Sequence, residues 1–133
     1  MKTLWHYTCD HAQDSIGDEG LLVPALAQIG AAAAGRMPSW EKAVAGLVWL
    51  TDLDSPLRNE LGLTSNSIGC DRTRHRYRVV GYSAVHYPTI RRDLPKRARE
   101  ALESAEGAMP MHWFVAYTPV PVVYDPILEV VPS

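Results

Sequence analysis

From Arg74 to Val80 the chain alternates without interruption. Arg74, Arg76 and Arg78 fall at one parity, and His75, Tyr77 and Val79 at the other. Successive side chains of a strand point to opposite faces, so this run predicts a strand with one cationic face and one apolar, aromatic face. Such a strand needs a sheet with a core on one side. A second period constrains the partner elements. Leu94, Ala98, Ala101, Leu102 and Ala105 recur at helical spacing and predict the buried stripe of the longest helix. Strand and helix periods in one short chain predict a fold of mixed α and β structure.

The 133 residues suit one compact domain over residues 1–133. A chain of this size can bury most of its unfolded apolar surface without staples. Hydrophobic residues at 47% and charged residues at 21% exclude a disordered composition. The N-terminus lacks the apolar core of a signal peptide, and the Ala-rich run over residues 25–34 is too short to span a bilayer. No membrane partner is expected. Cys9 and Cys70 do not make a disulfide framework, so a cytoplasmic location is expected.

Local signals divide the chain further. Residues 3–8 are rich in Thr, Trp and Tyr and predict a strand. Asp10 with Gln13 forms a capping-box pattern for a short helix, and Gly20 suits a left-handed position at its end. Residues 21–23 then run extended. Residues 25–45 suggest an insertion with some helix, with Ser39 as a cap. Residues 48–51 form a buried strand, and Ser55-Pro56 opens another helical turn. Asp93 is the expected cap of the helix before Gly107. Residues 111–117 predict a strand. Residues 120–124 and 127–131 are extended and interrupted by prolines, which suits edge strands.

Charge is segregated. From Cys70 to Arg99 nine basic residues face only Asp71 and Asp93, a local charge of +7. The chain as a whole carries −2, so the remainder carries −9. An anionic ligand or nucleic acid would match the segment over residues 72–99. Pairing with the acidic remainder would accommodate it equally well. Tyr77 and His75 interleave with the arginines, but no RNP-type aromatic signature accompanies them.

Four groups carry a resemblance: His6-Tyr7-Thr8, Ile16, Gly20-Leu21, and Val48-Trp49-Leu50-Thr51. In order and spacing they resemble the ADP-ribosyltransferase superfamily. There a His-x-Thr strand, an Ile eight residues on and a Gly-Leu four further open an NAD pocket, before a strand ending in Leu-Ser or Leu-Thr. The nearest branches are DNA-targeting ADP-ribosyltransferase toxins and RNA 2′-phosphotransferases. The wider pattern, including Val-Trp-Leu-Thr-Asp and Cys-Asp-Arg-Thr-Arg-His-Arg-Tyr-Arg-Val, is similar to actinobacterial and phage-type proteins. The resemblance covers residues 3–52. It implies a split, mostly antiparallel sheet flanked by short helices, with NAD in the cleft and a nucleic acid or protein as acceptor.

The resemblance also implies site residues. His6 would bond the adenosine ribose of NAD, with Thr8 on the same side of the strand and Gly20 at the turn. Thr51 would support the nicotinamide ribose, and Trp49 would stack on a base or fill the core. Glu129 is the glutamate on a late extended segment and the candidate acid, although no family motif surrounds it. Its carboxylate would place negative charge where positive charge develops. Arg72 and Arg76 would grip phosphate through bidentate guanidinium forks. The full arginine pattern of the phosphotransferases is absent before His6, where Lys2 is the one basic residue. A non-catalytic nucleotide- or anion-binding protein of the same fold is the alternative. His6, Cys9, His11, Cys70 and His75 are of the ligand types zinc uses, but at spacings that match no standard zinc motif.

Overall fold

The computed structural model describes residues 3–8, 19–24, 31–54, 75–81, 84–104 and 106–126. Seven strands occur among them: β1 Trp5–Thr8, β2 Glu19–Leu22, β3 Val48–Thr51, β4 His75–Val79, β5 Val85–His86, β6 Trp113–Ala116 and β7 Val120–Tyr124. Four α-helices accompany them: α1 Ala31–Arg36, α2 Ser39–Ala45, α3 Tyr87–Ile90 and α4 Lys96–Glu103. Single 3-10 turns cover Arg91–Asp93 and Pro110–His112. The fold is α+β with an open antiparallel sheet in the order β2-β7-β4-β1-β3-β6-β5.

Alternation builds two cores on opposite sides of this sheet. Tyr77 and Val79 on β4 meet Val120 and Val122 on β7, Leu22 on β2 and Leu50 on β3. Tyr77 is fully buried. Each such side chain contributes about 1.5–3 kcal/mol on leaving water. The arginine parity of β4 faces the other way, with Arg78 exposed, as the sequence period requires. The second core lies on that other side, at the far end of the sheet. Trp113 and Val115 on β6 pack there with Tyr87, Ile90 and Leu47. Trp49, Trp113 and Tyr87 form a ring cluster with centroids 5.2–6.4 Å apart.

The sheet is continuous in its hydrogen bonding, where two halves were expected. Its thinnest join is β1–β3, where Trp5 and Thr51 form a single registered pair. By contrast, β1–β4 has four pairs in register.

Several local expectations change. Gly20 is a β2 residue opposite Val122, not a left-handed helix end, because β2 spends its backbone groups on β7. Gly107, with φ of 87°, has the left-handed backbone. Pro38 and Pro95 stand at the caps of α2 and α4 in place of Ser39 and Asp93, and Asp93 closes the 3-10 turn instead. The covered stripe is Ala98 and Leu102 of α4 with Leu94 just before it, while Ala101 faces out and Ala105 lies outside the described residues. Met111 lies in a 3-10 turn, so β6 begins at Trp113.

The proline-bearing segment at 120–124 is an interior strand between β2 and β7's other neighbour, β4. The Pro121 carbonyl accepts from Val80 N at 3.1 Å, so its imide nitrogen also faces the β4 side. The missing donor therefore falls at the end of β4, and the ladder to β2 is kept.

Candidate functional site

Beyond the Trp5–Thr51 pair, β1 and β3 are linked by a side chain. His6 Nδ1 lies 2.9 Å from the Trp49 carbonyl oxygen. A carbonyl only accepts, so Nδ1 carries the proton and Nε2 presents its lone pair. The residue keeps some surface, but protein surrounds the ring densely. Desolvation lowers the His6 pKa, and the bond to Trp49 offsets only part of that effect. His6 is therefore neutral near pH 7.

The residues expected beside His6 separate. By register, Trp5 and Thr51 share a face, so His6 and Thr8 lie on the face opposite Thr51 and Trp49. Thr8 is buried opposite His75. The Thr51 hydroxyl donates to the His112 carbonyl at 2.7 Å and accepts from Leu53 N at 3.2 Å. Trp49 donates Nε1–H to the Val44 carbonyl at 2.9 Å and packs in the second core. Gly20 lies three strand spacings from β1, about 14 Å. Glu129 and Arg72 lie outside the described residues, as do Cys9, His11 and Cys70. His75 Nδ1 is 2.8 Å from the Tyr124 hydroxyl. Among the described residues no group of three or more metal-ligating side chains occurs.

Arg76 is held by the fold at several points. Nε donates to the Asp125 carbonyl at 2.7 Å, and Nη1 to the Asp54 carbonyl at 3.0 Å. Nη2 lies 3.5 Å from the Asp125 carboxylate. The guanidinium stacks on Trp5 with Cζ 3.9 Å from the ring centroid. Arg78 also pairs with Asp125, at 3.3 Å. The two arginines thus meet an acidic partner within the fold.

A different constellation forms where β1 begins and β3 ends. A cavity of about 360 Å³ is lined by Thr3, Trp5, Asp52 and Asp54. This volume is at the low end for small-molecule sites, about 300–1,000 Å³. Asp52 Oδ1 lies 2.7 Å from His112 Nδ1. The Asp52 side chain is 11% exposed and that of His112 is 38% exposed. Asp52 thereby orients the imidazole and leaves Nε2 as its acceptor nitrogen in the neutral form. Asp52 N also bonds the His112 carbonyl at 3.4 Å, so backbone and side chain dock the turn at 110–112 onto the end of β3. Tyr7 donates to the Leu53 carbonyl at 2.8 Å and fixes the loop that carries Asp54. Burial pushes the Tyr7 hydroxyl up to about 12 despite nearby Arg76, so it stays a donor.

An aromatic ring with two carboxylates suits a cationic ring or a hydroxyl-rich group, and it repels phosphate. Sequence reasoning missed this set, because sixty positions separate Asp52 from His112. The one local signal was Asp52-Leu53-Asp54 directly after the Val-Trp-Leu-Thr strand. Among the described residues no helix is long and apolar enough to cross a membrane. No family model, curated protein or solved structure matches the chain.

Proposed function

We propose that the protein is an NAD-dependent ADP-ribosyltransferase whose nicotinamide-side pocket is the cavity of Thr3, Trp5, Asp52 and Asp54. The observation that carries this reading is the pairing of that acidic, aromatic cavity with the Asp52–His112 dyad at the β1–β3 join. The resemblance over residues 3–52 motivates NAD as the ligand, while the pocket is drawn from the geometry, because His6 and Thr8 lie on the face opposite Thr51 and Trp49. NAD supplies a cationic ring and a ribosyl bond that gains positive charge on the ribose side as it breaks. Trp5 offers ring surface beside the face that Arg76 covers. Asp54 and Asp52 set negative charge where the positive charge grows. His112 Nε2 takes the proton of the acceptor nucleophile, and Asp52 stabilises the resulting imidazolium. The balance is transfer of ADP-ribose to the acceptor with release of nicotinamide and one proton. His6 acts as a neutral positioning residue that holds β1 to β3.

The test is calorimetric NAD binding with nicotinamide release followed by mass spectrometry, for wild type and Asp52→Asn. The variant is expected to keep NAD affinity within a few-fold and to lose turnover by on the order of 100-fold. Absence of NAD binding at millimolar concentration would reject the proposal.

The second reading is a non-catalytic nucleotide-binding protein. The spent Thr51 hydroxyl and Trp49 indole favour it, because neither keeps its donor for a ligand. That reading predicts NAD binding with no nicotinamide released by wild type. An RNA 2′-phosphotransferase activity draws less support, since Arg76 and Arg78 already share Asp125.

A further inference from the structure

The imidazole of His112 is aimed by its backbone before Asp52 orients it. Two peptide planes flank the His112 Cα, and each is held at both ends. In the plane that follows, the His112 carbonyl accepts from the Thr51 hydroxyl at 2.7 Å and from Asp52 N at 3.4 Å. The N–H of that plane, on Trp113, donates to the Pro110 carbonyl. In the plane that precedes, His112 N donates to the Met109 carbonyl at 2.9 Å. The carbonyl of that plane, on Met111, lies 2.6 Å from His86 Nε2. The backbone has two soft dihedrals per residue, so fixing both planes fixes φ and ψ of His112 and the direction of its Cβ. The 2.7 Å contact with Asp52 then sets the ring.

His86 is thus the side chain that secures the first of these planes from outside the turn, across 25 positions of sequence. A carbonyl only accepts, so Nε2 carries the proton. Nε2–H is a donor in the matching neutral tautomer and in the imidazolium, so the anchor holds in either charge state of His86. The side chain has been left free for this purpose. His86 stands at the N-cap position of α3 yet makes no side-chain cap bond there. Its ring lies against Phe114, its partner in the β5–β6 register, with centroids 4.9 Å apart, which restricts the ring to this orientation.

We infer that His86 is a positioning residue for His112, holding through the Met111 carbonyl the backbone from which the base reaches the acceptor. The inference rests on the reading of His112 as the base in ADP-ribosyl transfer. His86 is not among the residues that line the acidic cavity, so its effect falls on turnover and not on NAD affinity.

The test combines nitrogen-15 correlation spectra of the free, full-length protein with steady-state kinetics. In wild type, neutral His86 is expected as the Nε2–H tautomer, and the His112 Nδ1–H proton is expected far downfield and protected from exchange by Asp52. His86→Leu keeps apolar bulk and removes the donor, whereas His86→Gln keeps an amide donor. The leucine variant should lose the protection of the His112 proton. It should also lower kcat by on the order of three- to tenfold, with KM for NAD within about twofold of wild type. The glutamine variant should recover most of both. An Nδ1–H tautomer at His86 in wild type would overturn the inference, and that result needs no variant to fold. A leucine variant with an unchanged His112 signal and unchanged kcat would do the same. So would a loss of kcat that glutamine does not restore, because the effect would then belong to packing on Phe114. If wild type releases no nicotinamide, the ADP-ribosyltransferase reading falls, and the His112 signal still decides whether His86 sets the imidazole.

Discussion

Two cavities among the described residues oppose each other in charge. The one at the β1–β3 join offers carboxylates and a tryptophan, and Arg76, stacked on that tryptophan, is paired with Asp125. The one at α4 offers guanidinium and ammonium groups, with its best carboxylate already consumed by Arg91 and Tyr87. Charge counting leaves two readings of the basic segment open, an anionic partner and pairing with the acidic remainder. In the fold, β4 pairs Arg76 and Arg78 with Asp125, and Arg91, in the turn after α3, pairs with Glu103 of α4. Local charge therefore says little about ligand sign until the internal pairs are subtracted.

Trp113 offers the strongest way to break this contrast. It pairs with Thr51 in the sheet, next to the acidic cavity, and its ring packs on Tyr87, which holds Glu103 in the basic one. Trp113→Ala should cost about 3–5 kcal/mol in urea unfolding and weaken both cavities together. Loss of function at one cavity alone would show that they do not share this support.

Acid should act on the join through His6. Its folded pKa is depressed, so the unfolded chain binds the proton more readily. The stability it contributes is complete above the ordinary value of 6.5 and is lost as pH falls from there toward the folded pKa. Denaturation midpoints of wild type should therefore fall more steeply between neutral and mildly acid pH than those of His6→Gln. Parallel slopes would remove His6 from the account.

Tyr87→Phe sharpens the other side. It removes one donor from Glu103 while the ring packing persists, and should cost about 1 kcal/mol. Urea unfolding beside wild type measures it. The smallest effect is expected from Arg78→Gln. The Arg78–Asp125 pair is half-exposed, so its loss should change stability by less than about 1 kcal/mol in the same unfolding assay.

Legibility in the sequence followed the range of the interaction. The parity of β4 was readable because strand alternation is local, and it correctly divided Tyr77 and Val79 from Arg76 and Arg78. The strands at 5–8 and 48–51 were readable for the same reason. Gly20 misled, since glycine suits both a helix end and a strand that nestles against a partner. Pro121 misled because its cost depends on which neighbour its nitrogen faces, and that neighbour lies forty positions away. Of the candidate site residues, the sequence brought His6 to the join but could not foresee that Thr51 would turn to the opposite face.

The sequence by itself determined the mixed α and β character, the buried parity of β4 and the concentration of positive charge between residues 72 and 99. Those properties reside in periodicity and composition, which need no partner to be expressed. The tertiary structure alone decided that Asp52 meets His112, that Asp125 pairs with both Arg76 and Arg78 and that Arg91 and Tyr87 hold Glu103. Each is a contact across the sheet or between distant turns. Its geometry is set by strand order and register, and these emerge only when two cores are packed on opposite faces of the same sheet.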